Sequence, residues 1–236
     1  MPAPLLAADD RRPLLDRLRA RLARLDASAR QSTHLPIAVA SAIDRALPWG
    51  GLCRGAVHEI LAVDGGAGAA FACLLAARAG PFLAWVAIAP DPYPAGLRAW
   101  GVEPQGLLVV RAGAADLLWA AEECLKSKAF NAVLLFASKL SLAASRRLHL
   151  AAEKSGAIGL ILQQNLILQQ NGFSNPSAAR TRWRLSPIPG PAGPTHLAPS
   201  PRWRLDLLRV RGGSPRSWIV RCDNPGSTLI VENSDG

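Results

Sequence analysis

From residue 50 onward, short runs of consecutive apolar residues alternate with longer segments in which apolar residues recur every three or four positions. The runs 56–61, 83–88, 107–111, 132–136 and 157–162 read as short buried strands. The segments 69–78, 94–100, 114–126 and 142–155 read as helices between them. Near-continuous apolar strands separated by helices predict an α/β fold with a mostly parallel sheet covered on both faces. After residue 172 the period changes. Segments 180–185, 202–210 and 217–222 predict strands joined by turns, an antiparallel extension of the sheet. The stretch 187–201 holds six prolines and reads as a loop. Ahead of all this, Leu14, Leu15, Leu18, Leu22 and Leu25 recur at helical spacing among Arg11, Arg12, Arg17, Arg19, Arg21 and Arg24. That pattern predicts a basic amphipathic helix of about four turns. Leu14, Leu18, Leu22 and Leu25 would dock it onto a partner, or fold it back on its own domain. The expected organisation is a basic helix and linker over 1–48, a core over 49–222 and a tail over 223–236.

Charge sharpens this picture. The chain has 236 residues, half of them hydrophobic, and a formal net charge of +10. Residues 1–48 and 49–172 carry mixed charge, whereas 173–222 carries nine Arg, no Lys and one acid, Asp206. The excess points to a polyanion or an acidic protein face as partner, and Arg suits bidentate contacts to phosphate or carboxylate. GC-rich coding accounts equally well for the choice of Arg over Lys. Alternation would place Arg180, Arg182 and Arg184 on one face of a strand, and Arg202 and Arg204 on the same face of the next. Trp183 and Trp203 would then turn inward. Like charges across a sheet cost stability, so this arginine set is the expected contact surface. No secretory leader is expected at the N-terminus, and no apolar stretch is long enough to span a bilayer.

The candidate chemistry is a phosphate-binding loop without its reactive residues. A Gly-rich turn at Gly50, Gly51 and Gly55 feeds the first strand. A second Gly-rich stretch, Asp64 to Gly68, then leads into an apolar helix. Strand, Gly-rich loop and helix in that order open the P-loop ATPases. Those enzymes need a Lys on the β/γ phosphates and a hydroxyl on Mg²⁺, yet residues 64–77 contain no Lys, Arg, Ser or Thr. Backbone amides at Gly65, Gly66 and Gly68 could still hold a nucleotide passively, because a helix N-terminus attracts anions. The stretch from Gly66 to Phe71 half matches a dinucleotide fingerprint, but Phe71 occupies a position that close helix–strand packing reserves for a small residue.

Other reactive residues add little. Cys53, Cys73, Cys124 and Cys222 form no C-x-x-C pair and are expected as buried or half-buried thiols. His34, His58, His149 and His196 have no metal or nucleophile spacing, and Ser145 has no evident catalytic partner. Asp91, Glu103, Glu122 and Glu123 read as solvated faces. No metal and no cofactor are expected. A perfect tandem hexamer, Leu-Ile-Leu-Gln-Gln-Asn at 160–165 and again at 166–171, is too short for a solenoid. It reads as a local duplication that ends one strand and spills into a loop.

From Gly50 onward the chain resembles the core of the bacterial recombinase RecA. The stretch from Gly50 to Gly55 is similar to its G-G-L-P-x-G opening, and Val57-His58-Glu59-Ile60 to the strand that follows. Ile158 to Gln164 resembles its last core strand, and Phe173-Ser174-Asn175-Pro176 the F-G-N-P of its second DNA-binding loop. The resemblance is closer to the ImuA family, the RecA-like accessory subunits of damage-induced mutagenesis. It is carried by Leu47 to Leu52, by Ala144-Ser145-Arg146-Arg147-Leu148, by Ser177 to Trp183 and by Pro201-Arg202-Trp203-Arg204. It covers roughly residues 10–222.

Against RecA, the positions of the P-loop Lys and hydroxyl fall on Gly68 and Ala69. The strand that should carry a catalytic Glu runs from Trp85 to Pro90 without a carboxylate, and the Mg²⁺-organising Asp is absent from Val133 to Ser138. Losing all three removes most of the electrostatic stabilisation that phosphoryl transfer depends on.

The resemblance thus implies a non-catalytic, cytoplasmic, nucleoid-associated adaptor of error-prone translesion synthesis. Its implied partners are an inactive Y-family-like polymerase subunit of the ImuB type and, indirectly, a DnaE-type polymerase. RecA, single-stranded DNA and further copies of the chain are also implied. Two alternatives stay open: a SulA-like inhibitor of cell division, and a residual nucleotide-binding repair ATPase.

Overall fold

The computed structural model describes residues 35–164, 176–189, 200–223 and 228–235. The docking leucines Leu14, Leu18, Leu22 and Leu25, the second hexamer and Phe173 to Asn175 lie outside the described residues.

Strands β1 (Ala56–Ala62), β2 (Leu83–Ala87), β3 (Leu107–Arg111), β4 (Ala132–Phe136) and β5 (Ile158–Gln164) alternate with helices. The helices are α1 (Ser41–Ala46), α2 (Gly65–Ala79), α3 (Pro94–Arg98), α4 (Leu117–Lys126) and α5 (Leu142–Ser155). Strands β6 (Thr181–Pro187), β7 (Arg202–Val210), β8 (Arg216–Asp223) and β9 (Thr228–Asp235) follow. All nine share one sheet in the order β3-β2-β4-β5-β1-β6-β7-β8-β9. Pairing is parallel from β3 through β6 and antiparallel from β6 to β9. This is the expected RecA-like architecture.

Period-two alternation sends each strand's residues to two separate cores. On one face Phe71, Leu74 and Leu75 of α2 pack with Ile60, Leu134, Leu160 and Leu162, and this cluster continues through Leu185, Leu205, Trp218 and Val220 into the antiparallel strands. Phe71 lies edge-on to both Trp183 and Trp203, with ring centroids 6.3 and 6.2 Å away, so both indoles turn inward as the alternation implies. On the other face α4 and α5 cover Val57, Val133, Leu135 and Ile161.

The Gly50-Gly51-Leu52 motif has a local cause. Leu52 exchanges two backbone hydrogen bonds with Ile37. A Cβ on Gly51 would lie 2.7 Å from the Ile37 carbonyl oxygen.

Of the boundaries that differ from expectation, two bear on the candidate sites. Helix α2 starts at Gly65 rather than 69, because Asp64 caps it. The tail beyond 223 forms β9, which pairs with β8 and buries Leu229. Three adjacent apolar residues, Leu229 to Val231, carry no period that marks a strand in isolation. Among the described residues no helix is long and apolar enough to cross a membrane. None of their His, Cys, Asp and Glu side chains gather in a group that could hold a metal ion.

Candidate functional site

Two surfaces hold the residues that the sequence singles out. The first is the carboxyl end of β1. Only Val63 and Asp64 separate β1 from α2, so Gly65, Gly66 and Gly68 lie in the first turn of the helix rather than in a loop. The Asp64 side chain accepts a hydrogen bond from the Ala67 amide at 2.7 Å, and its carbonyl accepts one from Gly68 at 3.0 Å. The chain thereby supplies its own anion where a phosphate would meet the helix dipole. Gly68 is buried, and an added Cβ there would press on Ala62 Cβ and lie 2.8 Å from Leu162 Cδ1. Its smallness serves the approach of helix to strands. Sequence spacing alone cannot separate that packing role from a phosphate cradle.

The second surface is the arginine set. Arg182 is buried, and its Nε donates to Glu59 Oε2 at 2.6 Å from the adjacent register position on β1. Ser177 donates to the other oxygen of Glu59. Arg180 is buried as well, its guanidinium 5.8 Å from the centroid of the Trp49 ring, a cation–π arrangement. Arg184 and Arg204 converge on Asp206 at 2.7 and 3.0 Å, and Ser217 donates to the same carboxylate at 2.7 Å. Burial pushes the Asp206 carboxyl up, but Ser217, Arg184 and Arg204 outweigh it and hold it below the usual range. Arg202 donates to Glu232 on β9 at 2.9 and 2.6 Å, and Arg221 reaches the same residue at 3.3 Å.

The expected bare cluster of five guanidinium groups is therefore resolved into separate stations, three of them built on Glu59, Asp206 and Glu232. The physical reason is register. Glu59 and Asp206 lie beside arginines in the sheet, and β9 returns Glu232 from beyond the Arg-rich segment. Sequence reasoning missed Glu59 and Glu232 because both are distant in sequence from the arginines they meet.

The remaining reactive groups are structural. His58 is fully buried; its Nδ1 lies 2.7 Å from Thr181 Oγ1 and its Nε2 lies 2.9 Å from the Cys53 carbonyl oxygen. The carbonyl can only accept, so Nε2 carries the proton. Trp183 Nε1 donates to Thr181 Oγ1 at 2.7 Å, which leaves the Thr181 hydroxyl to donate to Nδ1. Burial pushes the His58 pKa down to about 4, so the ring is neutral at physiological pH. Ser145 donates to the Leu142 carbonyl and accepts from the Ala178 amide at 3.0 Å each, which ties α5 to the segment ahead of β6. Arg147 from the same motif pairs with Glu122 on α4. Cys73 and Cys222 are buried, while Cys53 and Cys124 are half-buried.

No family model matches the chain. Against curated proteins it is 34% identical over 199 residues to the protein named ImuA of Caulobacter vibrioides strain NA1000 / CB15N, an alignment covering 78% of this chain and 82% of that relative. The ImuA of strain ATCC 19089 / CIP 103742 / CB 15 aligns with the same figures. Among solved structures it is similar to the crystal structure of the RadB recombinase, with a TM-score of 0.60 at 15% identity, covering 82% of this chain and 98% of that one. At that identity the likeness establishes the RecA-like recombinase fold alone.

Proposed function

The chain belongs to the ImuA family, and from that premise we propose that it is a non-catalytic adaptor of damage-induced translesion DNA synthesis. In this reading it binds an ImuB-type inactive Y-family-like polymerase subunit, and through it a DnaE-type polymerase, with RecA and single-stranded DNA as further contacts. The observation that carries the non-catalytic part is the two-residue join of β1 to α2, closed by Asp64. Nucleotide enzymes of this fold spread a loop of backbone amides and a Lys around the phosphates at that point. Here the amides turn into a helix whose cap is already an anion. Electrostatic stabilisation of a transferring phosphoryl group would have to come from elsewhere.

Contact, rather than turnover, is then the work of the molecule. Leu14, Leu18, Leu22 and Leu25 are the proposed docking set. Of the arginines, Arg184, Arg202 and Arg204 are the ones proposed to meet an acidic face of a protein partner, since each retains an exposed portion. Arg180 and Arg182 support that surface from within.

The test is complex formation by size exclusion at physiological salt between the purified chain and an ImuB-type subunit, with phosphate release from ATP measured with and without DNA. Co-elution without phosphate release is expected. DNA-stimulated release would overturn the non-catalytic assignment, and elution of the two proteins apart would overturn the adaptor.

A further inference from the structure

We propose that the turn between β7 and β8, together with the start of β6, forms a site for the phosphate backbone of nucleic acid, built from Arg209, Arg211 and Arg216 with Arg180 beside them. The inference rests on the adaptor reading for its setting, but it places the nucleic-acid contact away from the sheet-face arginines.

The sheet register gathers the charges. Arg182 on β6 lies directly opposite Arg209 on β7. The next backbone link, from the Arg211 amide to the Arg180 carbonyl, is 2.9 Å long. Four arginines thus meet at one end of the β6–β7 pair, where Glu59 is held by Arg182 and Ser177. Arg209 Nη2 is turned onto the carbonyls of Ser177 and Ala179 at 2.8 and 2.9 Å. Burial, and then the neighbouring charges of Arg182 and Arg211, lower its pKa. Beyond it, every residue from 211 to 216 is exposed, in the order Arg-Gly-Gly-Ser-Pro-Arg. Gly212 adopts a φ of 83°, which a glycine takes without strain.

The chemistry of this turn selects its partner. Protein interfaces draw their affinity from buried aromatic and aliphatic anchors, and residues 211–216 contain none. Guanidinium groups flanking small residues at the tip of a two-stranded ribbon are what phosphate contacts along a groove require.

The experiment is fluorescence anisotropy of the full chain with fluorescein-labelled duplex and single-stranded oligonucleotides over a salt series. The wild type is compared with Arg211→Ala/Arg216→Ala and with Arg202→Ala/Arg204→Ala. The turn variant is expected to bind more weakly to every sequence and to reduce the slope of log K against log salt by about 2 on duplex. Its melting temperature should match the wild type, because both side chains are exposed. The sheet-face variant is expected to keep the wild-type slope.

An unchanged slope in the turn variant would overturn the proposal. So would a slope lost in the sheet-face variant alone, or an absence of binding by the wild type. Loss of the polymerase subunit with DNA binding intact would reassign the turn to an acidic protein and overturn it equally. Co-elution with the polymerase subunit, read separately, shows which of the two ideas has failed.

Discussion

The parallel strands β1–β5 and the antiparallel strands β6–β9 continue one sheet and share one core, yet they treat charge in opposite ways. In the parallel half both faces are covered by helices, and the end that faces ligands in nucleotide enzymes of this fold is closed by packing: Gly68 sits on Ala62 and Leu162, and Asp64 caps α2. In the antiparallel half one face joins the core through Trp183, Trp203 and Trp218, and the other carries arginines matched to Asp206 and Glu232. The first region brings helix and strands together through small residues. The second keeps its charge at the surface and balances it internally. Glu59 stands on the seam, a β1 residue neutralising a β6 arginine.

The seam gives the largest expected effect. Glu59→Ala leaves Arg182 buried without its carboxylate and should destabilise the chain by about 3–5 kcal/mol in urea unfolding, since breaking a buried pair costs far more than the pair contributes. Replacing both residues by apolar ones of similar volume should recover much of the loss. A loss below about 1 kcal/mol in the single variant would mean that water reaches Arg182 and that the seam is an ordinary surface pair.

His58 offers a pH handle on the same strand. Its folded pKa, about 4, lies below the ordinary histidine value of 6.5, so between these values the unfolded chain binds the extra proton. Stability from this group is full above about pH 6.5, falls as pH drops toward 4 and then levels, a change on the order of 3 kcal/mol. Carboxylates also take up protons as the pH falls, so the readout is the difference in pH dependence between wild type and His58→Gln. Parallel curves for the two would show that His58 is not held neutral.

A smaller contrast separates the two halves directly. Gly68→Ala should cost about 1–3 kcal/mol by overpacking α2 against β1 and β5, whereas Arg202→Ala should cost under about 1 kcal/mol because its ion pair is reached by solvent. Equal losses would erase the distinction between a half closed by packing and a half balanced by charge.

The sequence by itself determined the sheet and its helices. Continuous apolar runs, caps such as Asp64 and Ser141, and the inward indoles are local patterns, and strands 107–111, 132–136 and 202–210 and helix 142–155 stand where the pattern puts them. It also determined that residues 64–77 hold no Lys, Arg, Ser or Thr, since that is a matter of which residues are present.

Tertiary structure decided what the charges do. Whether an arginine faces a phosphate, a carboxylate or an indole depends on what the fold brings beside it, and that group comes from elsewhere in the chain: Glu59 on the adjacent strand for Arg182, Glu232 two strands away for Arg202, and Trp49 in the turn ahead of β1 for Arg180. Backbone pattern is written in spacings of two to four residues. Coulombic pairing is set by distance in space and is decided only when the sheet closes.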